Sequence, residues 1–492
     1  MRRFTVLFLC FSILGCDGEG EPVDGGGRAD AGDGPRDAGE GPRDAGDGSR
    51  DASGLDDASA PADAGARDAG PTPAECALAA PFDEGVTYAR TLHVSPTGSA
   101  SGDGSAASPL DTIPRAAARA TPGTRVLVAA GTYPGGFRLD GIAGAPGQPI
   151  AIVADGEVVL DAGGSGTVVS MTDPEYLVFE GFTLRGAGVH GMNIDDGGSY
   201  ATPAHHLILR NLTIPSAGSG GNNDCIKMSG VDDFWVLGSD VAACDRGEGI
   251  DMVGCHRGLI SGNHFHDVVG TAVQAKGGSA DVVVHGNRFT DIPSRGVNAG
   301  GSTGLEFFRP IDAPHEAARI TVVANLFRRV GAESGASIAF TGCDACVFAQ
   351  NTIVEPRTWV ARILQETTGA RFVPSRNGHF VNNVIVLDTS AIRTFVNVGG
   401  NTAPETFTFA NNLWFATNQG AGWSGPSYPA EIPAETGSVI QQDPLLDANG
   451  RPMSGSPAAG IGRTLSITQP PDHDGRCYGT PPSAGAFELA GR

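Results

Sequence analysis

A repeat of 23 to 24 residues in the middle of the chain constrains the fold more than any other feature. The segments GNNDCIKMSG, GEGIDMVGC, GTAVQAKGGS and SRGVNAGGS each contain two apolar residues one position apart. The first apolar residue of each pair recurs after 24, 23 and 24 residues, at Ile226, Ile250, Val273 and Val297. This alternation is typical of a strand with one buried face, and the repeat predicts that such strands stack about 4.8 Å apart in successive coils of a solenoid.

Stacking places residues at matching positions of successive coils in columns. Between the two apolar residues, the outward column contains Lys227, Asp251, Gln274 and Asn298. Two positions later, the next outward column contains Lys276. Acidic and basic groups that share one sheet face make this stretch the predicted functional site.

Strand–turn–strand units extend the repeat toward the C-terminus. Six consecutive turn positions are asparagine: Asn263, Asn287, Asn325, Asn351, Asn383 and Asn412. Asparagine tolerates the left-handed backbone conformation, and its side chain can form a hydrogen-bonded ladder between coils. With 73 glycines and few apolar patterns of helical length, we predict an all-β protein, a parallel β-helix of about ten coils.

The N-terminus has the pattern of an export signal. Residues 1–15 have a basic start and an apolar run, and a small residue precedes Cys16. ILGC resembles the lipobox of bacterial lipoproteins, which implies cleavage before Cys16 and lipidation of its thiol. An ordinary signal cleaved nearby is the alternative. We therefore expect an exported protein that its lipid anchors in the bacterial outer membrane or at the cell surface, with release from the cell left open.

Residues 16–75 form a linker of low complexity that is rich in Gly, Ala and Asp. Its 16 acidic and 5 basic residues carry half of the formal net charge of −22. Self-repulsion and the scarcity of apolar side chains predict an extended, disordered spacer before a β-helix domain at 76–492. The acidic balance of that domain argues against a nucleic-acid partner, and we expect a monomer.

The ends and the cysteines of the domain complete the prediction. A short helix near Pro109, with Ile113 and Ala117 on one face, could cap the apolar end of the solenoid.

Seven cysteines lie in the domain, so at least one stays unpaired. Cys343 and Cys346, in TGCDAC, favour a local disulfide or stacked apolar cysteines over a zinc or redox site.

Residues 88–488 resemble secreted right-handed parallel β-helix proteins of the pectate-lyase superfamily, from an N-terminal strand ending in GTY to a closing GAFE element. GNNDCIKM, GEGIDMVG and GTAVQAKGG resemble the active-site coils of family 9 polysaccharide lyases. That resemblance implies that Asp224, Glu248 and Asp251 hold one calcium ion and that Lys276 is the catalytic base.

The implied activity is calcium-assisted β-elimination in a uronate-containing acidic polysaccharide. Arg295, at the start of the next coil, would bind a substrate carboxylate. The sequence departs from the family pattern twice. One acidic ligand of that pattern falls at Gly247, and the family lysine falls in the column that Gln274 occupies here.

Other functions remain open at this point. The chain could be a non-catalytic β-helix that binds glycans or serves in adhesion, or a uronan epimerase. If Lys276 is not the base, Lys227 is the next candidate. His264 and His266, in the HFH motif, would need Asp267 or a residue of another coil to bind a metal ion.

Overall fold

Short strands follow one another through almost the whole described chain, and parallel pairing joins each to a strand one coil later. The computed structural model describes residues 76–199, 201–218 and 222–489, which belong to one compact unit, 66–492. The predicted signal peptide at 1–15, the lipidation site Cys16 and the linker to residue 75 lie outside the described residues.

The first half of the solenoid contains twenty strands, listed here in chain order. They are β1 Arg90–Val94, β2 Thr124–Pro134, β3 Phe137–Asp140, β4 Ile150–Asp161, β5 Val169–Thr172, β6 Glu175–Arg185, β7 Met192–Asp195, β8 Ala204–Arg210, β9 Thr213–Ile214, β10 Ile226–Ser229, β11 Val231–Leu237, β12 Asp240–Ala242, β13 Ile250–Val253, β14 His256–Ser261, β15 His264–His266, β16 Val273–Lys276, β17 Ser279–Ala280, β18 Val283–His285, β19 Arg288–Thr290 and β20 Val297–Gly300.

The second half continues in the same manner after a longer loop. Its strands are β21 Ala317–Ala318, β22 Thr321–Val323, β23 Leu326–Arg328, β24 Ala336–Thr341, β25 Cys343–Asp344, β26 Val347–Ala349, β27 Thr352–Val354, β28 Trp359–Leu364, β29 His379–Val381, β30 Val384–Leu387, β31 Val396–Val398, β32 Thr408–Ala410, β33 Leu413–Ala416 and β34 Val439–Ile440. Short 3₁₀ helices lie at Leu305–Phe307, Thr389–Ala391 and Pro404–Thr406.

The strands form two parallel arrays. Ten of them make one sheet, in the order β3-β5-β7-β10-β13-β16-β20-β24-β28-β31, which we call the site sheet, and the other 24 form the remaining walls. The solenoid has about 12 turns, slightly more than the ten coils predicted. The terminal coils that carry β1 and β34 contribute no strand to the site sheet, so the repeat that was counted in the sequence does not mark them.

The register of the site sheet matches the columns that the repeat spacing predicts. Lys227 pairs with Asp251, which pairs with Gln274, which in turn pairs with Asn298. Val253 pairs with Lys276 in the neighbouring column. Apolar partners such as Ile226 and Ile250 are fully buried, so alternation within each strand separates the core from the polar face.

Aromatic side chains stack along the interior as the strands do. Phe265, Phe289 and Phe327 lie at equivalent positions of three coils, with ring centroids 5.2 and 4.6 Å apart and nearly parallel planes. All three are buried. Such columns of apolar side chains form one continuous core along the solenoid axis.

The asparagine ladder is present, but the left-handed residue is not the asparagine itself. Asn287 donates through Nδ2 to the Asn325 side chain at 3.0 Å and accepts from the Asn263 side chain at 3.0 Å. Positive φ falls one residue earlier, at Gly286 (61°) and Ala324 (60°). The asparagine that follows the bend directs its side chain to backbone groups, as in the bond from Asn287 to the Ile260 carbonyl.

The capping helix is present, and it begins later than predicted. Helix α1, Ile113–Ala117, buries Ile113 and Ala117 against the first coils. Residues near Pro109 do not join it because Leu110 makes an extended bridge to Val94. In the described part of the chain, no helix is both long and apolar enough to cross a membrane.

Three disulfides tie parts of the domain together. Cys76–Cys477 joins its two ends across 401 residues, Cys225–Cys244 joins adjacent coils, and Cys343–Cys346 is local. Cys255 is the free, buried cysteine of the described residues. The odd cysteine and the local link between Cys343 and Cys346 agree with the sequence analysis.

Candidate functional site

A row of mostly polar side chains runs along the outer face of the site sheet. We call it the polar row: Arg138, Ser170, Asn193, Lys227, Asp251, Gln274, Asn298, Ala339, Arg362 and Asn397. At a strand spacing of about 4.8 Å, ten strands span roughly 43 Å. A surface of this length and polarity could contact several units of an extended polymer.

The centre of the row contains three carboxylates from two adjacent coils. Asp224 lies just before β10, Glu248 just before β13, and Asp251 within β13. One oxygen from each side chain lies within 4.8 Å of the others, and we call these residues the carboxylate cluster. The Asp224 side chain also accepts a 2.9 Å hydrogen bond from the backbone N–H of Glu248, which fixes the two coils relative to each other.

Two of the three residues of the carboxylate cluster are buried, although the cluster faces outward from the core, and Glu248 is its half-buried member. Asp224 and Asp251 are 0 % exposed. Asp224 Oδ2, Glu248 Oε2 and Asp251 Oδ1 accept no hydrogen bond from the described residues. Buried carboxylate oxygens are costly without a partner, so this arrangement calls for positive charge.

Two lysines supply such charge from opposite sides of Asp251. Lys227, one coil before it, contacts Asp251 Oδ2 and lies 3.4 Å from Asp224 Oδ2. Lys276, one coil after it, places Nζ 3.1 Å from Asp251 Oδ1. Their side chains are 16 % and 11 % exposed. Thus the structure brings Lys276 and the three predicted metal ligands together.

The electrostatics of the cluster follow from its burial. Burial raises the pKa of Glu248 to about 9, and the carboxylates of Asp224 and Asp251 act in the same direction. Burial lowers the pKa of Lys227, but Asp251 and Asp224 outweigh that effect and leave it above its usual value. Without a bound metal ion, burial therefore favours the neutral form of Glu248, and the neighbouring carboxylates favour the charged form of Lys227.

His190 is a member of the site that the sequence analysis missed. Its Nδ1 accepts a 3.0 Å hydrogen bond from the backbone N–H of Asp224 and lies 3.8 Å from Asp224 Oδ2. Burial lowers the pKa of His190, in keeping with a neutral ring that accepts at Nδ1. It stands in the turn before β7, outside the motifs compared above, and only the pairing of that coil with Asp224 reveals its position.

The donor set of the carboxylate cluster suits a hard cation. Calcium binds carboxylate oxygens. One oxygen from each of the three residues lies within 4.8 Å of the others, and each residue also has a buried oxygen that accepts no hydrogen bond from the described residues. The Lys227 ammonium contacts two of the three carboxylates. A calcium ion held by Asp224, Glu248 and Asp251 would therefore have to displace this side chain.

The loop at 301–316, between β20 and β21, covers the side of the site next to Lys276. The buried side chain of Glu316 holds it by accepting hydrogen bonds from the backbone N–H groups of Gly277 at 2.8 Å and Thr303 at 2.9 Å. A Cβ at Gly301 would lie 3.3 Å from the Lys276 side chain. The loop thereby limits the directions in which Lys276 can move.

Arg295 lies on a different part of the same face. Its guanidinium forms a 2.7 Å ion pair with Glu366, and its charge lowers the pKa of nearby Arg362, after the larger effect of burial. Arg362 stacks over Trp359, with 4.2 Å from its guanidinium carbon to the ring centroid. Arg295 and Arg362 form a cationic surface toward the C-terminal end of the polar row.

An open cavity continues this surface. Its volume is about 630 Å³, and Asn397, the last member of the polar row, lines it with Glu405 and Glu431. The pairing of Arg362 with Asn397 connects the cavity to the cationic surface. The face thus presents a carboxylate–lysine centre, a cationic region and a recess, in that order along the sheet.

Comparison with known proteins bears on the fold. Residues 159–309 match the family model described as "Right handed beta helix region". The solenoid is a right-handed β-helix. This confirms the predicted fold, the architecture shared by the pectate-lyase superfamily. No curated protein sequence matches the chain.

Several solved β-helix structures are similar to the chain at low identity. Pectate lyase Pel9A shares 16 % identity, with a TM-score of 0.47, over 83 % of this chain and 99 % of its own. An alginate lyase from Paenibacillus sp. shares 17 %, with a TM-score of 0.42, over 72 % and 99 %. The GH136 lacto-N-biosidase from Eubacterium ramulus shares 14 %, with a TM-score of 0.42, over 72 % and 68 %. At this level of identity the similarity concerns the fold alone and says nothing of the reaction that the site of this chain supports.

Proposed function

We propose that this protein is a polysaccharide lyase that cleaves a uronate-containing polymer by calcium-assisted β-elimination. The observation that carries the proposal is the convergence of three carboxylates with Lys276, whose Nζ lies 3.1 Å from Asp251. An acidic polymer would be repelled by these carboxylates unless a cation lay between them. The oxygen-rich cluster and the cationic surface of Arg295 and Arg362 together fit such a substrate.

In this proposal calcium, when bound, neutralises the substrate carboxylate and acidifies the C5 proton. The neutral amine of Lys276 removes that proton, and the electron pair forms the C4–C5 double bond. The bond from C4 to the glycosidic oxygen breaks, and that oxygen leaves with the electron pair and takes a proton from water. Asp251 holds the Lys276 side chain at the polar row, where an extended sugar chain would lie.

Residues farther along the sheet would bind the polymer. Arg295 would exchange its bond with Glu366 for one with a substrate carboxylate. Arg362, whose guanidinium lies over the buried Trp359 ring, would contact the next sugar unit. We further propose that the protein is exported and held at the bacterial outer membrane or cell surface through lipid on Cys16, with residues 16–75 as spacer. The motif ILGC and the low-complexity composition support this location.

The test is a lyase assay with the purified full-length chain on a panel of uronate polymers. Ultraviolet absorbance of the unsaturated product would be followed with calcium or with EDTA. We expect calcium-dependent product, a loss of about 10³-fold in Lys276→Ala, and a smaller loss in the control Lys227→Ala. Product formation that survives Lys276→Ala would contradict the role of Lys276.

Absence of product on every polymer would contradict the lyase proposal itself. Binding to glycans without product would then favour a non-catalytic surface protein. In that case the Lys227 ammonium, which contacts the carboxylate cluster, would occupy the place of the calcium ion. Inversion at C5 without chain cleavage would indicate an epimerase. Each result therefore selects one function.

A further inference from the structure

A second cluster of metal-ligand side chains lies on another wall of the solenoid. Strands β12 and β15 pair in parallel, and Asp240 is in register with His264, Ala242 with His266. Between them Val241 and Phe265 point into the core and are fully buried. Alternation therefore places Asp240, His264 and His266 together on the outer face of these two coils.

The distances in this cluster suit one small metal ion. His264 Nδ1 lies 3.3 Å from Asp240 Oδ2, and His266 Nε2 lies 3.3 Å from Asp240 Oδ1. One ligand atom from each of the three residues lies within 4.8 Å of the others. Tetrahedral bonds of about 2.0–2.1 Å to zinc place neighbouring ligand atoms roughly 3.3 Å apart.

Contacts of the two imidazole rings fix which nitrogens face Asp240. His266 Nδ1 lies 2.8 Å from Asp267 Oδ2, and its Nε2 lies 3.3 Å from Asp240 Oδ1, so a metal ion would take the place of the proton between Nε2 and Asp240 while Nδ1–H donates to Asp267. His264 Nε2 lies 3.4 Å from Thr290 Oγ1, on the next coil, while its Nδ1 faces Asp240. A carboxylate behind a histidine is the usual outer contact of a metal-binding imidazole.

The charges around this second cluster and the exposure of its side chains to solvent also permit a cation to bind. Asp240 and Asp267 provide two negative charges, against one positive charge on exposed Arg288, which pairs in register with His264. The side chains of Asp240, His264 and His266 are 46, 41 and 30 % exposed. Solvent can therefore reach the cluster and occupy a remaining coordination position.

We propose that Asp240, His264 and His266 form a binding site for a divalent d-block cation of the zinc class. Imidazole nitrogens select zinc, copper or nickel over calcium, whereas the carboxylate cluster offers only oxygen ligands. The ion would bridge two adjacent coils, with Asp267 as the outer partner of His266. The site lies on β12 and β15, outside the site sheet, and is independent of the proposed lyase activity.

The test uses the purified full-length chain, stripped with EDTA and returned to a buffer that contains calcium. Titration calorimetry with zinc should show one site per chain that calcium does not compete for. Replacement of zinc by cobalt should give the intense visible absorption of a tetrahedral ion with nitrogen ligands. A weak spectrum of octahedral type would overturn the proposal.

Matched variants assign the ion to these residues. We expect His264→Gln and His266→Gln to weaken zinc binding at least 100-fold, and Asp267→Asn, which keeps every ligand, to weaken it about 10-fold. His93→Gln on β1 and His379→Gln on β29 should leave it unchanged. Circular dichroism would show that each variant is folded. Zinc affinity equal to that of the unsubstituted chain in both His264→Gln and His266→Gln would overturn the assignment.

Discussion

Lys276 Nζ lies 3.1 Å from Asp251 Oδ1, although the two residues occupy different columns of the site sheet. In the strand register, Lys276 pairs with Val253, two positions beyond Asp251. The long lysine side chain leans back along the strand to reach the carboxylate. Lys227 meets the same carboxylate from the other side, so Asp251 is the shared partner of both lysines.

This arrangement predicts that Lys227 and calcium compete for the same oxygens. Removal of one partner of a buried ion pair costs about 3–5 kcal/mol. Lys227→Met should therefore lower stability by about that amount in EDTA, because Asp224 and Asp251 lose their shared cation. Calcium should restore the stability of Lys227→Met and bind it about tenfold more tightly than the unsubstituted chain.

Thermal unfolding at several calcium concentrations measures both effects. Lys276→Met is the matched control, since Lys276 contacts only Asp251 of the three carboxylates among the described residues. It should show a smaller loss in EDTA and a smaller gain with calcium. Equal responses of the two variants would contradict competition at the carboxylate cluster.

Asp232 forms a buried ion pair with Arg309, which lies in the loop at 301–316. This pair predicts that the folded protein loses stability in acid. Arg309 donates to both oxygens of Asp232, at 2.6 and 3.0 Å. Burial raises the pKa of Asp232, but hydrogen bonds from His256 and Arg309 outweigh it and hold that pKa well below the usual value. The stability from this depressed pKa is present above the unfolded value, near pH 4, and is lost as the pH falls below it.

Asp232→Asn should therefore lower the free energy of unfolding by about 3 kcal/mol at neutral pH. The difference from the unsubstituted chain should shrink as the pH falls below about 4. Denaturant unfolding between pH 7 and pH 2 checks this. Asp233→Asn, whose side chain is 28 % exposed and pairs with Arg257 at the surface, is the control and should cost less than about 1 kcal/mol.

The pair Arg295–Glu366 predicts opposite changes in substrate affinity, provided that the proposed lyase activity exists. Arg295→Ala removes a cation that would bind the polymer and should raise KM about tenfold, with little change in kcat. Glu366→Gln releases Arg295 from its 2.7 Å ion pair and should lower KM. Steady-state kinetics distinguishes these outcomes, and a KM that rises in both variants would indicate that the pair only stabilises the local structure.

The sequence was sufficient to predict the columns of the site sheet because the coil length hardly varies there. Spacings of 24, 23 and 24 residues placed Lys227, Asp251, Gln274 and Asn298 side by side, as the register confirms. Each coil repeats the same path, so one correct strand fixes its neighbours. The asparagine ladder was found by residue type instead, because successive turns carry asparagine although their spacing varies.

The spacing could not predict the conformation of a long side chain, or which residue of a turn belongs to the ladder. The spacing placed Lys276 two positions beyond the column of Asp251, and only the conformation of its side chain reveals the ion pair. Asn211 is not a member of the ladder: Leu212, one residue later, holds the equivalent position, and its backbone N–H donates to the Ser239 hydroxyl. His190 and Asp240 join their clusters through pairing between coils, which the sequence motifs did not mark.

The asparagine ladder gives the sharpest prediction about stability. Asn287 is 0 % exposed, accepts from the backbone N–H of Asn263 at 2.9 Å and donates to the carbonyl of Ile260 at 2.9 Å. Asn287→Ala leaves these buried backbone groups without partners, each at a cost of about 1–3 kcal/mol. The expected loss is roughly 3 kcal/mol in the free energy of unfolding. Asn193→Ala, on extended strand β7, removes a 2.9 Å hydrogen bond to Asp195 of the same strand and should cost only about 1 kcal/mol. Equal losses in the two variants would show that the ladder adds nothing beyond ordinary polar contacts.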